Sequence, residues 1–406
     1  MHNPPAVVVA PQKNHISGGC ATAATPLAIY VHWPWCKAKC PYCDFNSHVT
    51  EVIPEDDYVA ALIQDVKQYS HLVSQYTLTS IFFGGGTPSL MRPQTVEKIL
   101  QSIHQIISIQ SSTEITLEAN PTSSEGGRLR DFIQAGVNRL SIGVQGLDQA
   151  ELTFLGRHHS AVEAVQVVED AIKYCNNVSL DLIYGLPDQS LETWSKQLTW
   201  ATTIGTQHLS AYQLTIEENT RFYALWRRGE LNPMPDEKQR DFYDLTNDIM
   251  GLSGYEHYEI SNYARPGYMS QHNTHVWRYL PYLGIGAGAH GRYYSGNNNL
   301  NASAQRKLPA HYIADQSCGK PLGSVSTPLT TPEMAVENLL MSIRLREGID
   351  LVAAQNRLGQ PITDFMDHTE LARLAALGMV KRSATHLWVP QAYWPVLDGI
   401  IKALAL

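Results

Sequence analysis

From residue 27 the chain alternates between short apolar runs and longer stretches with a helical period. Leu27-Ala28-Ile29-Tyr30-Val31 reads as a buried strand, and similar runs follow at 80–83, 114–118, 139–144, 178–183 and 209–214. Each is bounded by glycine or polar residues. Between them, apolar residues spaced by three and four predict helices over 53–73, 93–107, 123–134, 161–174 and 191–202. Pro93 suits the first turn of its helix, and Gly136 suits the close of another. Strands alternating with helices describe a parallel sheet of βα units, hence an α/β fold. Six units predict an open, partial (β/α)6 barrel, since closure needs eight.

After residue 215 the pattern changes. A helix with an acidic first turn is predicted over 236–250, followed by a Tyr-, Gly- and Asn-rich stretch over 254–299. Thr331-Pro332-Glu333 then opens a helix, and the remainder reads as a mostly helical C-terminal domain. The expected organisation is a flexible tail at 1–26, a barrel at 27–215, an elaborated extension at 216–300 and the helical domain at 301–406. The tail has no acid and one basic residue, Lys13, which suits neither a signal peptide nor an Arg-rich transit peptide.

Apolar residues make up 44% and charged residues 17%, which fits an ordinary globular protein and excludes a disordered one. Thirty Lys and Arg against 38 Asp and Glu leave a net charge of −8, so the chain has no broad footprint for nucleic acid. No apolar run approaches the ~20 residues that cross a bilayer, which leaves only peripheral membrane contact open. Three of the six cysteines fall within eight residues. In a chain without a secretory signal this indicates a metal or cofactor site in a reducing compartment, the cytoplasm.

Cys36, Cys40 and Cys43 form a C-x3-C-x2-C loop directly after the first strand, braked by Pro34 and Pro41. Three thiolates can hold three irons of a [4Fe–4S] cluster and leave the fourth open. Zinc on the same thiolates plus His48 is the competing reading. Sites in parallel βα sheets lie at the carboxyl ends of the strands. The glycine run 84–86, then Glu118, Gln145 and Asp181, end the next four strands and would meet the cysteines at one mouth.

These residues resemble the radical S-adenosylmethionine superfamily: the cysteine loop with Tyr42 before its last cysteine, and the glycine-rich loop Gly84-Gly85-Gly86-Thr87. More narrowly, 27–400 resembles the oxygen-independent coproporphyrinogen oxidase branch, through Tyr30-Val31-His32-Trp33-Pro34-Trp35, Glu118-Ala119-Asn120-Pro121, Gly156-Arg157-x-His159 and Tyr258-Glu259-Ile260-Ser261-Asn262-Tyr263. The resemblance implies that Tyr30, Tyr42, Gly85, Gly86, Thr87, Glu118, Gln145, Arg157 and Asp181 line a site for S-adenosylmethionine. Its ammonium, hydroxyls and sulfonium suit the carboxylates, and its carboxylate suits Arg157. Helix capping is the plainer use for Glu118 and Asp181, and a surface ion pair for Arg157.

Within the branch, the oxidases carry a further cysteine where this chain has Phe45. The Cys-Asp-Phe ending and His272-Asn273-x-x-x-Trp277 are similar to the HemW-type heme chaperones, with Val276 at their tyrosine position. This resemblance implies heme binding by His272 and Trp277, with His275 as a further candidate ligand, and delivery to unidentified acceptor proteins. Coproporphyrinogen III dehydrogenation is the alternative function. Gly286-Ala287-Gly288-Ala289-His290-Gly291 fits GxGxxG but lacks a dinucleotide unit around it, and reads as a tight loop beside the mouth.

Overall fold

The structure, a computed structural model, describes residues 25–295, 299–319 and 325–405. Residues 1–24 of the expected tail therefore lie outside the described residues, while Thr25 and Pro26 already belong to the first strand. Six strands run parallel in chain order: β1 (Thr25–Trp33), β2 (Tyr76–Gly85), β3 (Glu114–Ala119), β4 (Arg139–Gln145), β5 (Val178–Tyr184) and β6 (His208–Gln213).

Helices connect them: α1 (Glu55–Gln68), α2 (Pro93–Ile106), α3 (Ser123–Gly126), α4 (Leu129–Gln134), α5 (Gln149–Phe154), α6 (Ala161–Tyr174) and α7 (Leu191–Thr203). The single helix expected over 123–134 is two pieces, broken where Gly126 and Gly127 weaken helical propensity. A capping box formed by Ser160 and Glu163 fixes the start of α6 where periodicity placed it.

The sheet does not stop at six strands. Helices α8 (Arg221–Arg227) and α9 (Asp236–Leu252) lead to β7 (Glu256–Glu259) and β8 (Asn262–Ala264). Helix α10 (Gln271–Trp277) precedes β9 (Tyr282–Ile285), β10 (His290–Tyr294) and β11 (Leu300–Ala304). After α11 (Pro309–Ser317) comes β12 (Val325–Pro328). The strand order is β12-β11-β10-β9-β1-β2-β3-β4-β5-β6-β8-β7, an open sheet of twelve. Strand β9 lies parallel beside β1 and makes a seventh parallel strand. The sheet thus continues past residue 300, where the sequence reading began the C-terminal domain.

Two buried clusters hold the chain. The larger packs the sheet against the barrel helices, with Leu27, Ile29, Phe83, Leu117, Ile142 and Leu180 among its inward residues. Apart from Tyr243, the smaller runs from Ala335 to Leu404 and is mostly helical, beginning with α12 (Thr331–Ser342). Neighbours on α9 divide between them: Phe242 enters the larger cluster and Tyr243 the smaller.

Candidate functional site

The carboxyl ends of all six barrel strands open into one cavity of about 320 Å³. The period of two along a strand sets its walls. Ser141, Gly143 and Gln145 of β4 line it, as do Asp181 and Ile183 of β5. Cys36, Cys40, Tyr42, Cys43 and Phe45 come from the loop after β1, and Gly85, Gly86 and Thr87 from the end of β2. Glu118 and Asn120 close the β3 side, and Arg157 reaches in from the segment after α5.

The three cysteines are free thiols, and two accept hydrogen bonds at their sulfurs. Thr87 Oγ1 donates to Cys36 Sγ at 3.4 Å, and an Arg157 nitrogen donates to Cys40 Sγ at 3.6 Å. Burial raises the Cys36 and Cys43 thiols, partly offset by these and neighbouring donors. Arg157 also donates to the Gly143 carbonyl at 2.8 Å and to Asn120 Oδ1, while its Nε has no partner.

The glycine loop is shaped by what lies beneath it. Gly85 has φ +111, and a Cβ there would overlap the His32 ring. At Gly86 a Cβ would sit 2.6 Å from the Trp35 carbonyl oxygen. Only glycine allows this turn and this close approach. Ser89 and the Asn120 amide both bind the buried Glu125 carboxylate, which ties the loop to the end of β3. Gln145 adopts φ +67, an uncommon conformation for a non-glycine residue, as its strand turns out of the sheet.

Two carboxyls sit together in this cavity. Burial, and then the Asp181 charge, raise Glu118 to about 8. Burial also raises Asp181, against hydrogen bonds from Ser210 and Ser141. The buried guanidinium of Arg139 draws both back. A cavity with two disfavoured carboxylates is complementary to a cationic group.

The Gly286 to Gly291 loop packs against the cysteine loop from behind. Asn46 Nδ2 donates to the carbonyls of Ala287 at 3.0 Å and Lys307 at 2.9 Å. Gly288 has φ +81, and a Cβ there would overlap the Asn46 amide. Asp65 on α1, fully buried, accepts from the Gly286 amide at 3.2 Å and from Tyr312 at 2.7 Å.

The His272 motif is elsewhere. It forms α10, which lies under the amino ends of β2 and β3. The Glu114 carboxylate, at the first residue of β3, accepts from the Gln271 and His272 amides at 3.1 and 3.0 Å. Ser80 and His272 Nδ1 are 3.0 Å apart, and burial lowers the ring's pKa to about 3. His272 stacks on Phe82 with centroids 4.9 Å apart. His275 has both ring nitrogens engaged, Nδ1 with Thr79 at 3.1 Å and Nε2 with the Pro281 carbonyl at 2.7 Å.

A second cavity of about 470 Å³ lies here, lined by Tyr30, Phe82, Tyr212, Glu259, His272, Val276, Trp277, Tyr282 and Arg344 among others. Tyr30 stands in this wall and not in that of the mouth cavity, because β1 turns it toward Phe82 and His272. Of the residues expected at one site, the structure brings Cys36, Cys40, Cys43, Tyr42, Gly85, Gly86, Thr87, Glu118, Gln145, Arg157 and Asp181 together. It places Tyr30, His272 and Trp277 in the second cavity.

The radical SAM superfamily profile matches residues 30–201, and the HemN C-terminal domain profile matches residues 329–395. A Mus musculus protein named radical S-adenosyl methionine domain-containing protein 1, mitochondrial, is 39% identical over 333 residues, covering 81% of this chain and 75% of its own length. Proteins named heme chaperone HemW show the same likeness. The one from Escherichia coli (strain K12) is 42% identical over 271 residues, 66% of this chain and 70% of the relative. The chain belongs to the HemW-type branch of the radical SAM superfamily. The solved coproporphyrinogen III oxidase (HemN) of Escherichia coli shares the fold, with a TM-score of 0.77 at 21% identity over 93% of this chain and 90% of that one.

In this branch member the sixth strand end also reaches the mouth. Tyr212, Gln213, Leu214 and Thr215 line it, and sequence reasoning passed over them. The rule that identified the other five strand ends applies to β6 equally. No helix among the described residues is long and apolar enough to cross a membrane.

Proposed function

We propose that the chain binds heme and passes it to acceptor proteins, carrying a [4Fe–4S] cluster on Cys36, Cys40 and Cys43 and S-adenosylmethionine over the strand ends. One observation carries this reading. Three free thiols, a bare glycine loop and two buried carboxyls share one cavity, and a separate aromatic cavity surrounds His272. Relatives named as heme chaperones support the functional class. A cytoplasmic location goes with it, since that compartment keeps thiols reduced.

The donor set favours a cluster over zinc. His48 Nε2, the fourth zinc ligand in that reading, lies 3.3 Å from Asn46 Oδ1. When bound, a cluster with one open iron supplies one-electron chemistry and a place for an amine and carboxylate to ligate.

The chain's own groups then have distinct tasks. Thr87 and Arg157 donate to cysteine sulfurs and stabilise thiolates. Glu118 and Asp181 offset positive charge on the ligand, and the Arg157 guanidinium, which lines the same cavity, suits a carboxylate. Gly85 and Gly86 let the ligand approach backbone, with Tyr42 and Gln145 completing the walls. In the second cavity His272 is held neutral by burial, the form in which imidazole binds iron. Its Nδ1 contact with Ser80 orients the ring and leaves Nε2 as the ligating atom.

Phe45, 58% exposed on the rim of the mouth, stands where the oxidase resemblance requires cysteine. The full chain, reconstituted anaerobically with iron and sulfide, should bind heme and leave coproporphyrinogen III unchanged when reductant and S-adenosylmethionine are supplied. Cys→Ser at 36, 40 and 43 together should remove bound iron and sulfide. Formation of protoporphyrinogen IX would establish the oxidase alternative instead.

A further inference from the structure

We infer that Arg344, from the C-terminal part of the chain, is the anion-binding residue of the second cavity and receives a propionate of the heme. The inference rests on the heme reading of that cavity and adds to it the group that recognises the ligand's charged edge.

The cavity is otherwise suited to a flat apolar body. Tyr30, Phe82, Trp277 and Tyr282 supply aromatic wall, and its volume of about 470 Å³ falls in the ~300–1,000 Å³ range of ligand pockets. Heme, however, carries two carboxylates, and burying an unpaired carboxylate is strongly unfavourable. Arg344 is the only Lys or Arg among the residues lining the cavity. Its guanidinium stands 5.7 Å above the centre of the Trp277 ring, at the edge of the His272 motif.

The backbone fixes it there. Leu345 forms an antiparallel bridge with Glu259, and the Arg346 amide donates to the Tyr258 carbonyl at 2.9 Å. Arg344 is thus carried on a segment pinned to β7, at the cavity's margin. Its present ion-pair partner is Asp398 at 3.2 Å, whose side chain is 87% exposed. Such a pair contributes little to stability and is readily exchanged for another carboxylate. Glu259 lines the same cavity, but its carboxyl accepts from the Asn262 amide. Arg344 lowers the Glu259 carboxyl through space, but among the described residues no ion pair joins the two. A guanidinium fork with a weakly held partner, facing an aromatic slot, suits a carboxylate at the rim of a planar ligand.

The test uses the full chain titrated with heme and with heme dimethyl ester, whose propionates are blocked. Arg344→Gln should weaken heme binding by about tenfold, the loss of one charge-assisted contact, and leave ester binding unchanged. Arg344→Lys should recover part of the difference. The visible spectrum of bound heme should be the same in Arg344→Gln as in the parent and altered in His272→Ala. Equal weakening of heme and ester by Arg344→Gln would mean a merely structural role and overturn the inference. If His272→Ala alters heme binding while Arg344→Gln affects neither ligand, the cavity reading stands and the Arg344 assignment fails. If neither variant changes heme binding, the cavity reading itself is wrong.

Discussion

The Gly85 amide donates to Glu118 Oε2 at 3.2 Å, joining the glycine loop to the one carboxyl in the mouth that is raised to about 8. The bond partly stabilises the carboxylate, but burial and the Asp181 charge outweigh it. The ordinary value for Glu is 4.5. Between 4.5 and about 8 the folded chain therefore holds a proton that the unfolded chain has released. The resulting penalty is absent below that window and complete above it, so Glu118 lowers stability as pH rises.

A cation beside Glu118 reverses this preference and releases the proton. Affinity for S-adenosylmethionine should therefore increase between about pH 6.5 and 8, by at most roughly tenfold per pH unit for one coupled proton. Glu118→Gln should bind more weakly and lose that slope. Calorimetric titration across the range measures both, and a slope retained in Glu118→Gln would assign the proton to another group.

Arg157 bonds a cysteine sulfur, a strand carbonyl and the Asn120 side chain from one buried position. Removing it strands those acceptors as well as the ligand's carboxylate. Arg157→Ala should weaken S-adenosylmethionine binding by about 1–3 kcal/mol. Arg157→Lys should restore only part, because a point charge cannot fork among several acceptors. Undiminished affinity in the alanine variant would place the ligand elsewhere.

Gly288→Ala tests the support behind the cysteine loop. The added Cβ meets the Asn46 amide, and φ +81 already disfavours a side chain. A loss of about 1–3 kcal/mol in stability is expected. Gly359→Ala has φ +77 but open space around the new methyl, so it should lose less and leave iron content unchanged. Denaturant melts with iron analysis distinguish the two, and equal iron retention would show that the loop does not depend on this contact.

The two histidines of α10 should behave differently. His275 has both nitrogens bonded, so His275→Ala should reduce stability by about 1–3 kcal/mol with little change in the bound-heme spectrum. Under the proposed function His272→Ala should change the spectrum, because a ligand to the heme iron would be lost. Burial depresses His275 to about 4, below its ordinary 6.5. Its contribution is therefore present above 6.5 and lost as pH falls toward 4. In His275→Ala that part of the acid sensitivity should disappear from thermal melts.

The barrel was readable because its strands are local events. Each apolar run ends at glycine or a polar turn, and the observed β3 to β6 begin and end within one or two residues of the predicted runs. Strand β9 was not readable. Its four residues pair with β1 some 250 positions earlier in the chain, and no local period announces a partner at that separation. The placement of Tyr30 in the second cavity was out of reach for a related reason. Its motif identifies the strand, but which cavity it faces depends on Phe82 and His272, brought alongside by β2 and α10. The mouth residues were legible because strand ends in parallel sheets converge without needing any distant pairing.

Tyr212 lines both the mouth cavity and the second one. One phenol ring is therefore a partition common to two chambers. Whatever occupant presses on it from one side alters the room available on the other. Any such influence must be mutual: if a guest at the cysteine end loosens or tightens the hold on heme, heme changes the hold on that guest by the same factor.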